Sequence, residues 1–239
     1  MSRRQSYEAD AHVAQMSILR KLLLNLTASF SELTTATGLT TDHANFHVKK
    51  LIAADMVEHV PKTHGTYRLT RKGKEYANRM DTDELVIEKQ PKLVVDIGIE
   101  NDDGTFLFQE RSKQPYYGYW GFPTGKIRWG ETILQAAARE LMEETGLTAE
   151  LRVIGTHHKL DYDEHGVMLE DKYLILVHGT HPKGELMVET ESHVNHWLTP
   201  AAYRKLQKRF GDIDETLAFI RGKSAFITEA TYQYEGDAY

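Results

Sequence analysis

The chain has 239 residues, with 41% hydrophobic and 27% charged side chains, 17 glycines and six prolines; that is a globular composition, long enough for two cores of about 100 to 200 residues each, and it excludes collagenous and disordered classes. It contains no cysteine, which excludes disulfide frameworks, thiolate zinc sites and thiol nucleophiles and leaves only O and N ligands for a metal. The net charge of -6 is uneven: residues 1 to 80 carry 12 Lys and Arg against 7 Asp and Glu, or +5, and residues 81 to 239 carry 17 against 28, or -11. A basic part suits a polyanion, and an acidic part suits a cation or metal-bound ligand. No run of about 18 apolar residues occurs, so the expectation is a cytoplasmic protein with no membrane partner.

In chain order, Val13, Met16, Ile18, Leu22 and Leu23 fall at mostly three- and four-residue spacings, predicting an amphipathic helix over Ala11 to Leu26. Ser29-Phe30-Ser31-Glu32 is a capping box that opens a short second helix, and Gly38 stops it. Thr41 is expected to cap a third helix running to about Asp55, with Ala44, Val48, Leu51 and Ile52 inward and His43, Asn45, Lys49 and Lys50 toward solvent. Met56 to Val60 and Thr66 to Leu69 read as strands around the turn Pro61 to Gly65, and Thr70 caps a further helix through Arg79. Across Asn45 to Val57 and Tyr67 to Gly73 the chain resembles the ArsR/MarR-type winged helix-turn-helix family. Asp55 stands where that family carries Gly, but Asp tolerates the left-handed backbone. The resemblance implies binding of double-stranded DNA as a homodimer through Thr41, His43, Asn45, Lys49 and Lys50 on the third helix and Lys62 and Arg68 on the wing. The alternative role is dimerisation or domain contact, with His47 a packed histidine.

Asp81 to Pro91 is polar, acidic and ends in proline, as a linker does. Leu93 to Ile99 and Thr105 to Gln109 read as strands joined by the turn Asn101 to Gly104. The aromatic run Tyr116, Tyr117, Tyr119, Trp120 and Phe122 leads into a glycine loop and then a helix from Thr132 to Thr145, ended by Gly146. Strands follow near Leu151 to His158, Lys172 to His178 and Val194 to Leu198, with a helix over Pro200 to Phe210. The tail after Gly222 shows only weak alternation.

The chemistry concentrates between Gly125 and Leu147. Glu140, Glu143 and Glu144 stand at i, i+3 and i+4, so the spacing predicts three carboxylates on one helix face, beside an apolar face of Leu134, Ala137, Ala138 and Leu141. Such carboxylates repel unless a cation intervenes, and hard oxygen donors suit Mg²⁺ or Mn²⁺, which neutralises a diphosphate and lowers the pKa of an attacking water. The Gly125 carbonyl is open to ligation, and Arg139 can orient a carboxylate.

Read as Gly125, five residues, Glu131, seven residues, then Arg139-Glu140-Leu141-Met142-Glu143-Glu144-Thr145-Gly146-Leu147, the segment resembles the Nudix hydrolase box, and the likeness extends from about Pro91 to Phe210. It implies an α+β protein: an N-terminal winged helix (1–82), a linker (83–91), a Nudix α/β/α sandwich with a mixed sheet (92–210) and a C-terminal extension (211–239). It further implies Mg²⁺-dependent hydrolysis of a nucleoside diphosphate linked to another moiety, ADP-ribose being the first choice. Arg139, Glu140, Glu144 and a late-loop Glu191 would be catalytic, with Glu189 and Glu170 as the other candidates for the late glutamate. Gly125, Glu140, Glu143 and Glu144 would hold the metal, and Arg111, Tyr119, Trp120, Phe122 and Lys126 the substrate. Thr124 departs from the glycine common there, which puts the substrate loop in question. Three readings stay open: a hydrolase linked to transcription regulation, a catalytically silent nucleotide sensor, and a hydrolase whose winged helix only dimerises it.

Overall fold

The computed structural model describes residues 2–81, 83–87, 89–222 and 226–235, and the side chains of all of these except 2–12, 86 and 87. The chain divides into two compact units, residues 1–89 and 90–239. Residues 82 and 88 of the expected linker region, and 223–225 and 236–239 of the expected extension, lie outside the described residues.

The first unit runs α1 (Ser2–Leu24), β1 (Ala28–Ser29), α2 (Phe30–Thr37), α3 (Thr41–Ala53), β2 (Val57–His59), β3 (Thr66–Leu69), α4 (Arg71–Ala77), β4 (Met80–Asp81) and β5 (Val86–Ile87). The capping box forms as the sequence predicts: Ser29 Oγ accepts from the Glu32 amide, and Glu32 accepts from the Ser29 amide at 2.8 Å. Gly38 ends α2 in the left-handed conformation, φ 65°, where a side chain would be strained. The N-cap of α3 is Thr40 rather than Thr41, and its side chain makes no cap bond.

Met16, Ile18, Leu19, Leu22, Leu33, Val48, Leu51 and Leu69 form the core of this unit. Val13, expected inside, is 53% exposed, and Leu19 takes its place. The short β1 pairs with β3, giving a three-stranded sheet in the order β1-β3-β2 that the sequence pattern missed. Asp55 has φ 58° and its carbonyl accepts from Thr70 Oγ1 at 2.6 Å. Within the expected linker, β4 and β5 form a hairpin and Leu85 packs on the core, so that stretch is structured.

The second unit runs β6 (Lys92–Ile99), β7 (Phe106–Arg111), β8 (Trp120–Gly121), β9 (Thr124–Lys126), α5 (Ile133–Thr145), β10 (Thr148–Asp163), β11 (Met168–Lys183), β12 (His193–Leu198), α6 (Pro200–Tyr203), α7 (Ile213–Ile220) and β13 (Ile227–Tyr234). A five-stranded mixed sheet has the order β13-β10-β11-β6-β9, and a three-stranded sheet the order β12-β7-β8. The pairs β10/β13 and β11/β6 are parallel, while β10/β11 and β6/β9 are antiparallel. The expected hairpin of β6 and β7 does not form; after the single bridge Glu100–Phe106 the two strands enter different sheets.

The period-two alternation of strands sorts side chains to two faces. Val95, Ile97, Ile99 and Leu107 join Ala136, Ala137 and Leu141 of α5 in one core, whereas Phe106 and Phe108 join Tyr203 of α6 and Ile213, Leu217 and Ile220 of α7 in another. Helices therefore cover both faces of the sheet layer. The helix expected over Pro200 to Phe210 is a single turn, Pro200–Tyr203. The expected C-terminal extension is part of the fold: α7 seals a core, and β13 adds an edge strand along Thr156 to Asp163 of β10.

Candidate active site

Helix α5 carries the carboxylates. Thr132 and Gln135 form its N-terminal capping box and Gly146, φ 72°, its C-terminal cap. The buried stripe is Ala136, Ala137 and Leu141; Leu134 is 42% exposed and Ala138 is exposed, which corrects the predicted face. At about 100° per residue, Glu140 and Glu144 continue the line of Ala136 inward. Glu143 lies off it, with a side chain 48% exposed.

A cavity of about 630 Å³ opens beside α5, with Glu140, Glu144 and Gly125 at one end. Arg139 fans across the box: Nε and Nη2 donate to the two Glu131 oxygens at 2.5 and 2.8 Å, Nη1 to Glu140 at 2.7 Å and Glu143 at 3.1 Å, and Nη2 to the Lys126 carbonyl at 3.1 Å. These bonds hold Glu131 down to about 2, with the Arg128 amide contributing next, and push the Arg139 guanidinium up. Burial, and then the Glu140 charge, push Glu144 up to about 7. Its Oε2 is buried without a hydrogen-bond partner. Asn195 fixes the end of the helix, donating to the carbonyls of Glu144 at 2.9 Å and Met187 at 2.6 Å.

This donor set fits a hard divalent cation. Glu144 Oε2 is a buried acceptor with a vacant lone pair, which is costly unless a ligand or proton fills it. A Cβ at Gly125 would collide with the Glu140 carboxyl, so only glycine lets that strand approach the acid. Among the described residues no three His, Asp or Glu side chains are gathered as a preformed cage; Arg139 holds Glu140 and Glu143.

Of the expected substrate residues, Arg111, Phe122 and Lys126 line the cavity. Tyr119 instead packs in an aromatic cluster with Tyr116, Phe210 and Tyr234, and Trp120 stands against His196 and the α6/α7 core. Glu191 and Glu189 are exposed and outside the lining, while Glu170 lines it but is bonded to Lys92 at 2.6 Å and to Lys172. The late residue that reaches the site is His193, which the sequence reading missed: it is buried, its Nδ1 lies 3.7 Å from Glu144 Oε1 and 2.9 Å from Ser192 Oγ, and burial pushes it down to about 4. Its signal was position, two residues past the favoured glutamate at the start of a strand.

In the first unit, Thr41, His43, Lys49 and Lys50 are exposed on α3, and Asn45 is half-buried. His47 is buried and burial lowers its pKa. Lys62 is exposed at φ 64°, and Arg68 is paired with Glu58 at 2.7 Å.

The NUDIX domain model matches residues 90–218, more than half of the chain, and the chain belongs to the Nudix family. An ADP-ribose pyrophosphatase of Methanocaldococcus jannaschii is 30% identical over 112 residues, covering 45% of this chain and 66% of that protein. This chain thus spans just under two thirds of that relative's length. Among solved structures, the NUDIX domain of Shewanella oneidensis NrtR complexed with ADP ribose is 20% identical, covering 65% of this chain and 99% of that one, at a TM-score of 0.48. A MutT NUDIX hydrolase from Burkholderia pseudomallei is 25% identical, covering 55% and 99%, at a TM-score of 0.47. Among the described residues no helix is long and apolar enough to cross a membrane.

Proposed function

We propose that the second unit is a Mg²⁺- or Mn²⁺-dependent pyrophosphohydrolase of a nucleoside diphosphate joined to a second group, with ADP-ribose the first choice. The observation that carries this is the meeting of Glu140, Glu144 and Gly125 with Arg111, Lys126 and Arg128 in one cavity: oxygen donors for a cation beside cations for phosphate oxygens. The M. jannaschii relative supports the substrate choice.

Gly125, Glu140, Glu143 and Glu144 would hold the metal, which when bound neutralises the diphosphate and lowers the pKa of water. Arg139 keeps Glu131, Glu140 and Glu143 oriented. Glu144 holds or releases a proton near neutral pH, and His193 positions it from the other side. Arg111, Lys126 and Arg128 fix the diphosphate. Water adds to one phosphorus and the bridging P–O bond breaks, so that ADP-ribose gives AMP and ribose 5-phosphate. Mass-spectrometric product analysis with Mg²⁺ and Mn²⁺ over ADP-ribose, dinucleotides, sugar nucleotides and nucleoside triphosphates tests this. Glu144→Gln is expected to cut kcat by about 10²- to 10⁴-fold with the fold retained, as for loss of a general acid–base or ligand group. A wild type that turns over nothing in the panel overturns the reading in favour of a silent sensor.

The first unit is proposed to be a winged helix that places α3 in the major groove of DNA as one half of a dimer, linking transcription to the nucleotide. The exposed Lys49 and Lys50 on α3 favour it. Arg68 is a weaker phosphate contact, since Glu58 already holds it. A mobility shift on the upstream region of the gene tests DNA binding; absence of binding there and in a genomic selection would leave dimerisation as the role of this unit.

A further inference from the structure

Charged residues in a strand usually mark its solvent face, yet in β10 the alternating set His157, Lys159, Asp161 and Asp163 is buried. Lys159 is only 3% exposed; its Nζ lies 3.2 Å from Asp161 and 3.3 Å from Asp212, and 4.6 Å from the centre of the Phe210 ring. Replacing a buried ion pair by apolar side chains is often neutral or stabilising, so stability alone does not account for this cluster.

Its position does. Lys159, Asp212, Asp96, Glu170 and Lys172 line the same cavity that has Glu140 and Glu144 at its other end. Asp212 is 5% exposed, and its Oδ1 accepts no hydrogen bond although Lys159 is near. Cations and carboxylates alternate here. An added phosphate would meet three carboxyl groups, and an apolar group would strand them without water. A hydroxyl satisfies both, donating to a carboxylate while accepting from an ammonium, and a sugar ring repeats that pattern while laying its C–H face on Phe210 or Tyr116, which also line the cavity.

We propose that the Lys159–Asp212 end of the cavity is a binding subsite for an uncharged polyhydroxylated group, the sugar joined to the far side of the diphosphate. This rests on the proposed diphosphate hydrolysis. It also gives β13, beyond the matched 90–218, a role: Tyr232 and Tyr234 stand within 5.6 and 5.2 Å of Lys159 and wall the subsite.

The test is calorimetric binding with Mg²⁺ in a Glu144→Gln background, comparing ADP-ribose with the propyl ester of ADP, which keeps the diphosphate and lacks the sugar. The sugar is expected to tighten binding by roughly 10- to 100-fold, about one charged hydrogen bond. Asp212→Asn and Lys172→Met are each expected to reduce that ratio below about 5 while leaving propyl-ester affinity within about threefold; a melt followed by circular dichroism confirms the fold. Where one variant does not fold, the other decides, and the ratio in the background protein stands alone if neither does. A ratio near one in the background protein, or an undiminished ratio in a folded variant, overturns the subsite and leaves the diphosphate reading standing. Binding of neither ligand overturns both.

Discussion

Asp96 should make the second unit less stable as the pH rises through neutrality. Its carboxyl is 1% exposed on the α7 face of β6 and accepts from Thr216 Oγ1 at 2.9 Å. Burial first, then the Asp212 charge, push it from its ordinary 3.8 up to about 7. A folded-state pKa above the unfolded one gives stability that is full below 3.8 and lost as pH rises through 7. At 1.36 kcal/mol per unit the whole gap is worth on the order of 4 kcal/mol, about 3 of it between pH 5 and 8. Asp96→Asn keeps an acceptor for Thr216 and carries no charge at any pH, so its stability should lack this component. Urea unfolding followed by tryptophan fluorescence reads the second unit alone, because Trp120, Trp129 and Trp197 all lie there. The stability of the variant minus that of wild type should grow by about 3 kcal/mol from pH 5 to pH 8. Parallel pH curves for the two proteins would refute the reasoning and mean that Lys159 and Lys172 keep Asp96 ionised throughout.

Three further outcomes follow from single interactions. Gly125→Ala drives a methyl into the Glu140 carboxyl; overpacking of this kind costs about 1 to 3 kcal/mol, read as a lower urea midpoint, together with a fall in turnover. Arg139→Ala removes the bonds that hold Glu131 down to about 2; the wild-type stability that those bonds supply is present above pH 4.5 and lost as pH falls toward 2, so the acid limb of the variant's stability curve should be shallower over that window. Lys49→Ala with Lys50→Ala should weaken duplex binding and reduce the slope of log K against log salt by about 2, roughly 0.9 for each phosphate that is no longer neutralised, measured by fluorescence anisotropy; an unchanged slope would remove α3 from the DNA interface.

The box helix was legible because its signals are local: Thr132 and Gln135 at one end, Gly146 at the other, and carboxylates at fixed spacing. Its orientation was less so. Leu134 and Ala138 share one line of the helix, while Ile133, Ala137 and Leu141 share the line one residue back, and only packing against Val95, Ile97 and Leu107 selects the second. Glu191 was favoured for its type and distance from Trp197, but burial, which sequence spacing does not report, brings His193 to Glu144 instead. The charged alternation of Lys159 and Asp161 reads as a solvent face until α7 and β13 are known to cover it. Those elements escaped notice because α7 is only eight residues long and β13 pairs with a strand some 70 residues earlier.

That covering separates two tasks. Helix α5 is held by the Val95, Ile97, Leu107 and Val177 face of the sheet layer, whereas the Lys159 cluster is closed by α7 residues through Asp96–Thr216 and by Tyr232 and Tyr234 of β13. A substitution in the cluster therefore has no direct path into the capping boxes or the Arg139 fan that shape the carboxylate end. Changes near α7 and β13 should redirect which group is accepted beyond the diphosphate without dismantling the machinery that cleaves it, whereas changes on α5 should act on cleavage whatever that group is.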